Sequence, residues 1–305
     1  MTQPKHFLDL HQHPTEIIKH LVATGHALKK DRSLHATALA GKTLAMIFEK
    51  PSLRTRVSFD VGMHQLGGHA IMLTGGEIQL KSDTSVPDAA RALSRYCDLI
   101  MFRTHAHSYL TGMAEHATVP VINGLTNDTH PCQVLADVMA YEEHRGPFDG
   151  KTVAWLGDGA DNVCISWLHM ATHIPFTFKI AAPANYQPPS ALVSDMQQRG
   201  ARVEITTDPR AAARDADCVI TDTWVSMGQE AEAIGRREIF TPYQVNADIM
   251  KQAKSDAVFL HCLPVYRGME VTSEVIDGPQ SIVWDAAENR LHAQKAVMLW
   301  CLGVI

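Results

Sequence analysis

The 305-residue sequence has no CxxC pair; its six cysteines, Cys97, Cys132, Cys164, Cys218, Cys262 and Cys301, are widely scattered. That excludes a finger-type zinc framework, and reduced thiols of a cytoplasmic protein are expected rather than a disulfide scaffold. The seventeen histidines show no HExxH spacing, so no metal is expected. Basic residues are not in excess: the formal charge is -6, which argues against a nucleic-acid partner held by general basicity. No apolar run approaches the roughly 20 residues of a membrane span, so no membrane partner is expected. The N-terminal stretch MTQPKHFLDLHQHPTEIIKHL lacks a basic segment followed by an apolar one, so no secretory signal is expected. Nucleotide loops are missing too. G-x-x-x-x-G-K-[ST] does not occur, and LGDGADN (156–162) carries Asn162 where G-x-G-x-x-G needs its third glycine. An NAD or ATP site is thereby disfavoured, and no cofactor is expected.

What the sequence does contain is alternation. Short apolar runs read as buried strands at KTLAMIF (42–48), AIML (70–73), DLIMFRT (98–104) and VPVINGL (119–125). Helical patterns separate them, from Val57 onward, at DAARALSRY (88–96) and at CQVLADVMAYEEHR (132–145), with Val134, Leu135, Val138 and Met139 at helical spacing. Gly and Pro cluster at RGPFDG (145–150), and the pattern then restarts. KTVAWLGDG (151–159), FKIAAP (178–183), ARVEIT (201–206), DCVITDTW (217–224) and AVFLHCLP (257–264) supply further strands. The order predicts an α/β protein of two similar domains, each with a mostly parallel central sheet flanked by helices. The domains are placed at 1–147 and 148–285, with a C-terminal helix over 286–305 packing back on the first.

Several strand ends carry reactive side chains. In PSLRTR, Ser52 is placed as a helix N-cap, and Val57, Val61 and Leu66 are expected to begin the buried face. A helix N-terminus favours anions, and Arg54 and Arg56 add charge-assisted donors suited to phosphate. The alternative is a capped helix with a solvated basic first turn. Arg103 ends another strand, and His130 and Gln133 open a helix with Pro131 at its first turn. If these loops converge, arginines, a hydroxyl and an imidazole surround one acyl phosphate. Asp222 and Ser226 in DTWVSMG read either as a capping turn or as a partner for a substrate ammonium on a loop that orders on binding. Cys262 in HCLP is either a buried structural thiol or a polar contact in the site. Arg290 opens the last helix, solvated or aimed at an anion.

SLRTR, FRT, HPCQ, DTWVSMG, HCLP and AENR, in this order over nearly the whole length, resemble the aspartate/ornithine carbamoyltransferase family. The resemblance implies a carbamoyl-phosphate domain, an amino-acid domain and a homotrimer with active sites at subunit interfaces. It assigns carbamoyl phosphate to Ser52, Leu53, Arg54, Thr55, Arg103, His130, Gln133, Cys262, Leu263 and Arg290, with Gln79 reaching in from a neighbouring subunit. Asn162, Asp222, Ser226 and Met227 are assigned to the amino acid. Cys262 and the backbone of Leu263 lie near the reacting groups, and Arg103, His130, Thr55 and Cys262 form the catalytic set. The SMG loop and the cysteine of HCLP set the chain apart from the aspartate-specific relatives, which typically read His-Pro-Leu-Pro there. Two positions depart from the usual pattern: Leu53, often Thr or Met, and Asp161, usually a second asparagine.

The implied reaction is attack of the ornithine δ-amino group on carbamoyl phosphate, through a tetrahedral intermediate, to citrulline and phosphate. A carbamoyltransferase acting on another amine, such as putrescine or a modified ornithine, is the near alternative. An α-amino- and carboxylate-binding loop disfavours putrescine. A non-catalytic phosphate-binding homologue is the alternative from another class, disfavoured by the complete phosphate set and Asp222.

Overall fold

A computed structural model describes residues 4–78, 85–225 and 230–305. The chain forms two compact units, Met1–Met139 with Ala287–Ile305, and Ala140–Ala286. The division falls inside the helix that the sequence reading places wholly in the first domain. Among the described residues no helix is long and apolar enough to cross a membrane.

In the first unit α1 (Thr15–Lys30) precedes β1 (Thr43–Phe48), α2 (Leu53–Gln65), β2 (His69–Thr74), α3 (Ser85–Leu93), β3 (Leu99–Arg103), α4 (His107–His116), β4 (Val121–Leu125) and α5 (Pro131–Arg145). The strands pair in parallel in the order β2-β1-β3-β4. β3 is buried at every residue, which is why it reads as an unbroken apolar run rather than an alternating one. Val86 and Ala90 of α3 and Leu110 and Met113 of α4 pack on Ala45, Ile47, Ile100 and Phe102.

α2 corrects the sequence reading. Its buried face is Thr55, Phe59, Gly62 and Met63, continued by Leu66. Val57 and Val61, expected inside, are 49% and 38% exposed, and Leu53 is 76% exposed. The helix carries two apolar rows at i, i+4 spacing, and periodicity alone does not say which one meets the sheet.

The second unit continues with β5 (Thr152–Leu156), α6 (Asn162–Met170), β6 (Thr177–Ala181), α7 (Ser190–Gln198), β7 (Arg202–Thr206), α8 (Pro209–Ala213), β8 (Cys218–Thr221), α9 (Ala233–Phe240), α10 (Ala247–Met250), β9 (Val258–His261) and α11 (Ser273–Ile276). Its sheet is parallel in the order β7-β6-β5-β8-β9. α12 (Val283–Cys301) then runs to the C-terminal part of the first unit.

Each strand order reverses once. In the first unit the loops after β1 and β3 diverge to opposite faces; in the second, those after β5 and β8 do. Such switch points, at the carboxyl ends of the strands, are where open α/β sheets hold ligands. PSLRTR and FRT flank the first, and GDGADN and DTW flank the second. At the first, the β3–β4 register slips: Phe102 faces Asn123, but Arg103 faces Leu125. Gly124 is the extra residue, and a Cβ there would fall 2.3 Å from Met101 Sδ, so a larger residue at this bulge would have to displace the buried Met101 side chain.

Candidate active site

The first unit gathers its polar groups above the β1–β3 switch point. Ser52 caps α2, its Oγ accepting from Thr55 N at 3.3 Å. The positive, N–H end of the helix thus lies at this cluster. Thr55 is fully buried and its Oγ1 accepts from Arg290 Nη2 at 2.7 Å and Arg103 Nη1 at 3.5 Å. Arg290 Nη1 donates to Gln133 Oε1 at 2.9 Å and to His130 Nε2 at 3.4 Å. Gln133 in turn donates to Asp137 Oδ1 at 2.9 Å. The loops after β1 and β3, the start of α5 and the first half of α12 thus converge on one hydroxyl. Burial, then Arg290, Arg103 and Arg54, hold the His130 imidazole well below its ordinary pKa. The ring is neutral at physiological pH. Since a guanidinium only donates, Nε2 accepts and the ring proton sits on Nδ1.

The second unit gathers a different set. Gly157 closes β5 at φ 135°, a left-handed-side conformation open to glycine, and turns the chain into the Asp158–Asn162 loop. Asp161 caps α6, accepting from Val163 N at 2.8 Å, and Asn162 is the first residue of that helix. Asp222 leaves β8 with its Oδ1 accepting from Thr223 N at 2.7 Å. A carboxylate oxygen of Asp222, a ring nitrogen of His261 and Cys262 Sγ lie within 4.8 Å of one another. Burial pushes the Asp222 carboxyl up, against the opposing pull of His261 and the Cys262 thiol. Leu263 holds φ 60°, fixed by its N–H donating to His261 Nδ1 at 2.8 Å. This is a strained non-glycine backbone in a loop next to a candidate ligand group.

Asp161 is the departure with a physical consequence. Burial, then Asp222 and Asp158, drive its carboxyl well above the usual range. The fold therefore holds this proton more tightly than the unfolded chain does, and stability falls as pH rises from the ordinary carboxylate range through the raised value. Asn caps a helix as well as Asp and brings no charge. Asp161→Asn is expected to raise Tm, with a gain that grows as pH rises above the ordinary carboxylate range. Equal Tm gains across a pH series, or a loss at the alkaline end, would show that Asp161 is not strained by its neighbours.

Of the residues singled out from the sequence, the structure brings Ser52, Thr55, Arg103, His130, Gln133 and Arg290 together in the first unit. Arg54 is half-buried beside them and adds to the field on His130. The Leu53 side chain points to solvent, leaving only its backbone at the helix start. Asp222 and Cys262 meet in the second unit, with Leu263 beside Cys262 and Asn162 at the α6 N-terminus. Gln79, Ser226 and Met227 lie outside the described residues. Three contributors were not anticipated. Lys50, buried between β1 and α2, donates to Asn127, and burial and Arg103 lower its pKa. Glu270 is fully buried 3.4 Å from His261 Nε2. Arg236, in the charged stretch IGRREIF, pairs with Asp158 and donates to the Trp224 carbonyl. Its place among charged neighbours reads as a solvated face.

Two family models match the chain. The aspartate/ornithine carbamoyltransferase carbamoyl-P binding domain covers residues 5–143, and the Asp/Orn binding domain of the same family covers 149–301. An ornithine carbamoyltransferase of Nitrobacter winogradskyi is 56% identical over 303 residues, 98% of each chain. Another from Rhodopseudomonas palustris is 55% identical, over 99% of this chain and 98% of that one. Among solved structures, ornithine carbamoyltransferase from Pyrococcus furiosus superposes with a TM-score of 0.93 at 46% identity, covering 99% and 98% of the two chains. The two switch-point clusters thus sit in a chain matched by both domains of one family over nearly its full length, and the chain belongs to the aspartate/ornithine carbamoyltransferase family.

Proposed function

We propose that the chain transfers the carbamoyl group of carbamoyl phosphate to the δ-amino group of L-ornithine, giving L-citrulline and phosphate. The observation that carries this reading is the buried convergence of Arg103, Arg290, His130 and Gln133 around Thr55. The descriptions of the matched domains support giving carbamoyl phosphate to the unit containing this cluster and ornithine to the other.

In this reading Ser52, the Leu53 amide, Arg54, Thr55 and Arg290 hold the phosphate at the α2 N-terminus, and Gln133 orients Arg290. Arg103, Thr55 and the neutral His130 ring donate to the carbamoyl oxygen and stabilise the oxyanion that forms on attack. The reactive acyl carbon and the phosphate leaving group need no covalent enzyme intermediate. The ornithine δ-amine, with a pKa of about 10.4 if it resembles lysine, must react as the free base. Nearby guanidinium charges and exclusion of water favour that form. Asp222 pairs with the α-ammonium, the α6 N-terminus at Asn162 receives the carboxylate, and Ser226 and Met227 complete that contact. Cys262 and the Leu263 carbonyl meet the reacting nitrogen.

The exposed row Leu53, Val57 and Val61, with Met72 38% exposed on β2, supports a homotrimer in which a neighbouring copy covers this face and contributes Gln79. All six cysteines are free thiols, which supports a cytoplasmic location. The test is citrulline formation from carbamoyl phosphate and L-ornithine, run beside putrescine, N-acetylornithine and aspartate. Ornithine-selective product is expected. Turnover of another amine in its place would retain the phosphate half and discard the ornithine half.

A further inference from the structure

His130 stands on a turn that the sheet does not hold by itself. β4 leaves its register at Gly124, and Leu125 then takes φ 146°, a conformation costly for a residue with a side chain. Such backbone persists only where its surroundings over-determine it. Two fully buried polar residues do so here, Asn123 and Thr126. Asn123 Oδ1 accepts from Leu125 N at 2.9 Å, and its Nδ2 donates to Thr129 Oγ1 at 3.1 Å. Thr126 Oγ1 accepts from the N–H groups of Asp128 and Thr129, each at 3.2 Å, and Thr126 N donates to the Thr129 carbonyl at 2.9 Å. The turn therefore folds around the Thr126 hydroxyl, and His130 is the next residue after it.

With two N–H groups arriving at its oxygen, that hydroxyl has its own proton to place. The imidazole of His107 lies on it, Nδ1 at 3.1 Å from Oγ1. His107 is the half-buried first residue of α4, a helix anchored through Leu110 and Met113 in the core of the sheet. A side chain on the first turn of such a helix is a rigid support for a loop. We propose that His107 is a positioning residue for carbamoyl transfer: its Nδ1 accepts the Thr126 hydroxyl proton, locks the Thr126–Thr129 turn, and fixes where His130 meets the carbamoyl oxygen. This rests on the assignment of His130 in the reading above. The phosphate grip of Arg54 and Arg290 comes from α2 and α12 and does not pass through this turn. Displacing the turn therefore weakens the oxyanion contact, which is made fully in the transition state, more than it weakens substrate binding.

The test is steady-state kinetics and thermal melting of the full-length chain as wild type, His107→Leu, His107→Phe, His107→Asn and His130→Gln. Leu and Phe both remove the acceptor; Phe keeps a ring in place and carries the test should the Leu variant not fold. Asn Oδ1 occupies much the same position as histidine Nδ1. The expected result is a roughly tenfold loss of kcat in the Leu and Phe variants, with both KM values within about twofold of wild type. His107→Asn is expected to recover kcat to within about threefold of wild type. Wild-type kcat in the Leu or Phe variant overturns the proposal. So does an Asn variant as slow as they are, or a lowered Tm with unchanged kinetic constants. A slow His130→Gln beside a fast His107→Phe removes this inference alone. A fast His130→Gln removes the assignment of His130 and the inference with it.

Discussion

Arg290→Ala is expected to lower kcat/KM for carbamoyl phosphate by about a thousandfold, the scale of losing one preorganised charged donor in a water-excluded site. Arg290 is 2% exposed, and its guanidinium donates in a fixed fork to Thr55 Oγ1, Gln133 Oε1 and His130 Nε2. Alanine leaves Thr55 and Gln133 buried without this donor, so folding must be checked by melting before the kinetics are read. Arg290→Lys is the sharper variant. It keeps a charge, but an ammonium cannot span Thr55 and Gln133 as a planar fork does, and most of the activity is expected to stay lost. Kinetics within tenfold of wild type for either variant would remove Arg290 from the phosphate assignment.

Arg236→Met is expected to act on the other substrate. Arg236 and Asp158 form an ion pair with side chains only 6% and 11% exposed, and the guanidinium lies 5.0 Å from the Tyr186 ring and 5.1 Å from that of Phe240. Methionine fills the space between the rings and abandons Asp158. Breaking a buried pair by removing one partner costs about 3–5 kcal/mol, so the second unit should lose much of its margin against unfolding. The same side chain ties two loops together. Asp158 begins the loop that ends at Asn162, and the Trp224 carbonyl, to which Arg236 Nε donates, lies just past Asp222. KM for ornithine is therefore expected to rise about tenfold, with carbamoyl-phosphate binding unchanged. Arg236→Lys should recover part of the stability and little of the ornithine KM. Equal rises in both KM values would show that Arg236 does no more than hold the unit folded.

The strands were legible because parallel strands buried on both faces leave unbroken runs such as TLAMIF, LIMFR and TVAWL. The capped helix start was legible because cap, basic turn and apolar helix follow one another in PSLRTRVSF. What was not legible depends on contacts that no local pattern encodes. The two apolar rows of α2 are equivalent in sequence, and only the sheet distinguishes Phe59 and Met63 from Val57 and Val61. Thr55 and Arg290 stand 235 residues apart, and only the order of motifs, not periodicity, relates them in the sequence. Arg236 sits in a stretch that reads as polar surface, and its role arises from contacts across 78 and 12 residues; that of His107 arises from one across 19.

The return of α12 to the first unit has a consequence for the order of manufacture. A ribosome delivers Thr55, Arg103, His130 and Gln133 early, then the whole of Ala140–Ala286, and only afterwards Arg290. Units fold roughly as they emerge, so the first sheet forms around a cluster that lacks one of its guanidinium groups. On the proposed assignment of Arg290, a nascent or truncated chain that stops before α12 therefore lacks a finished grip on carbamoyl phosphate. On that assignment, competence to hold this reactive molecule arrives only once the second unit has already been made.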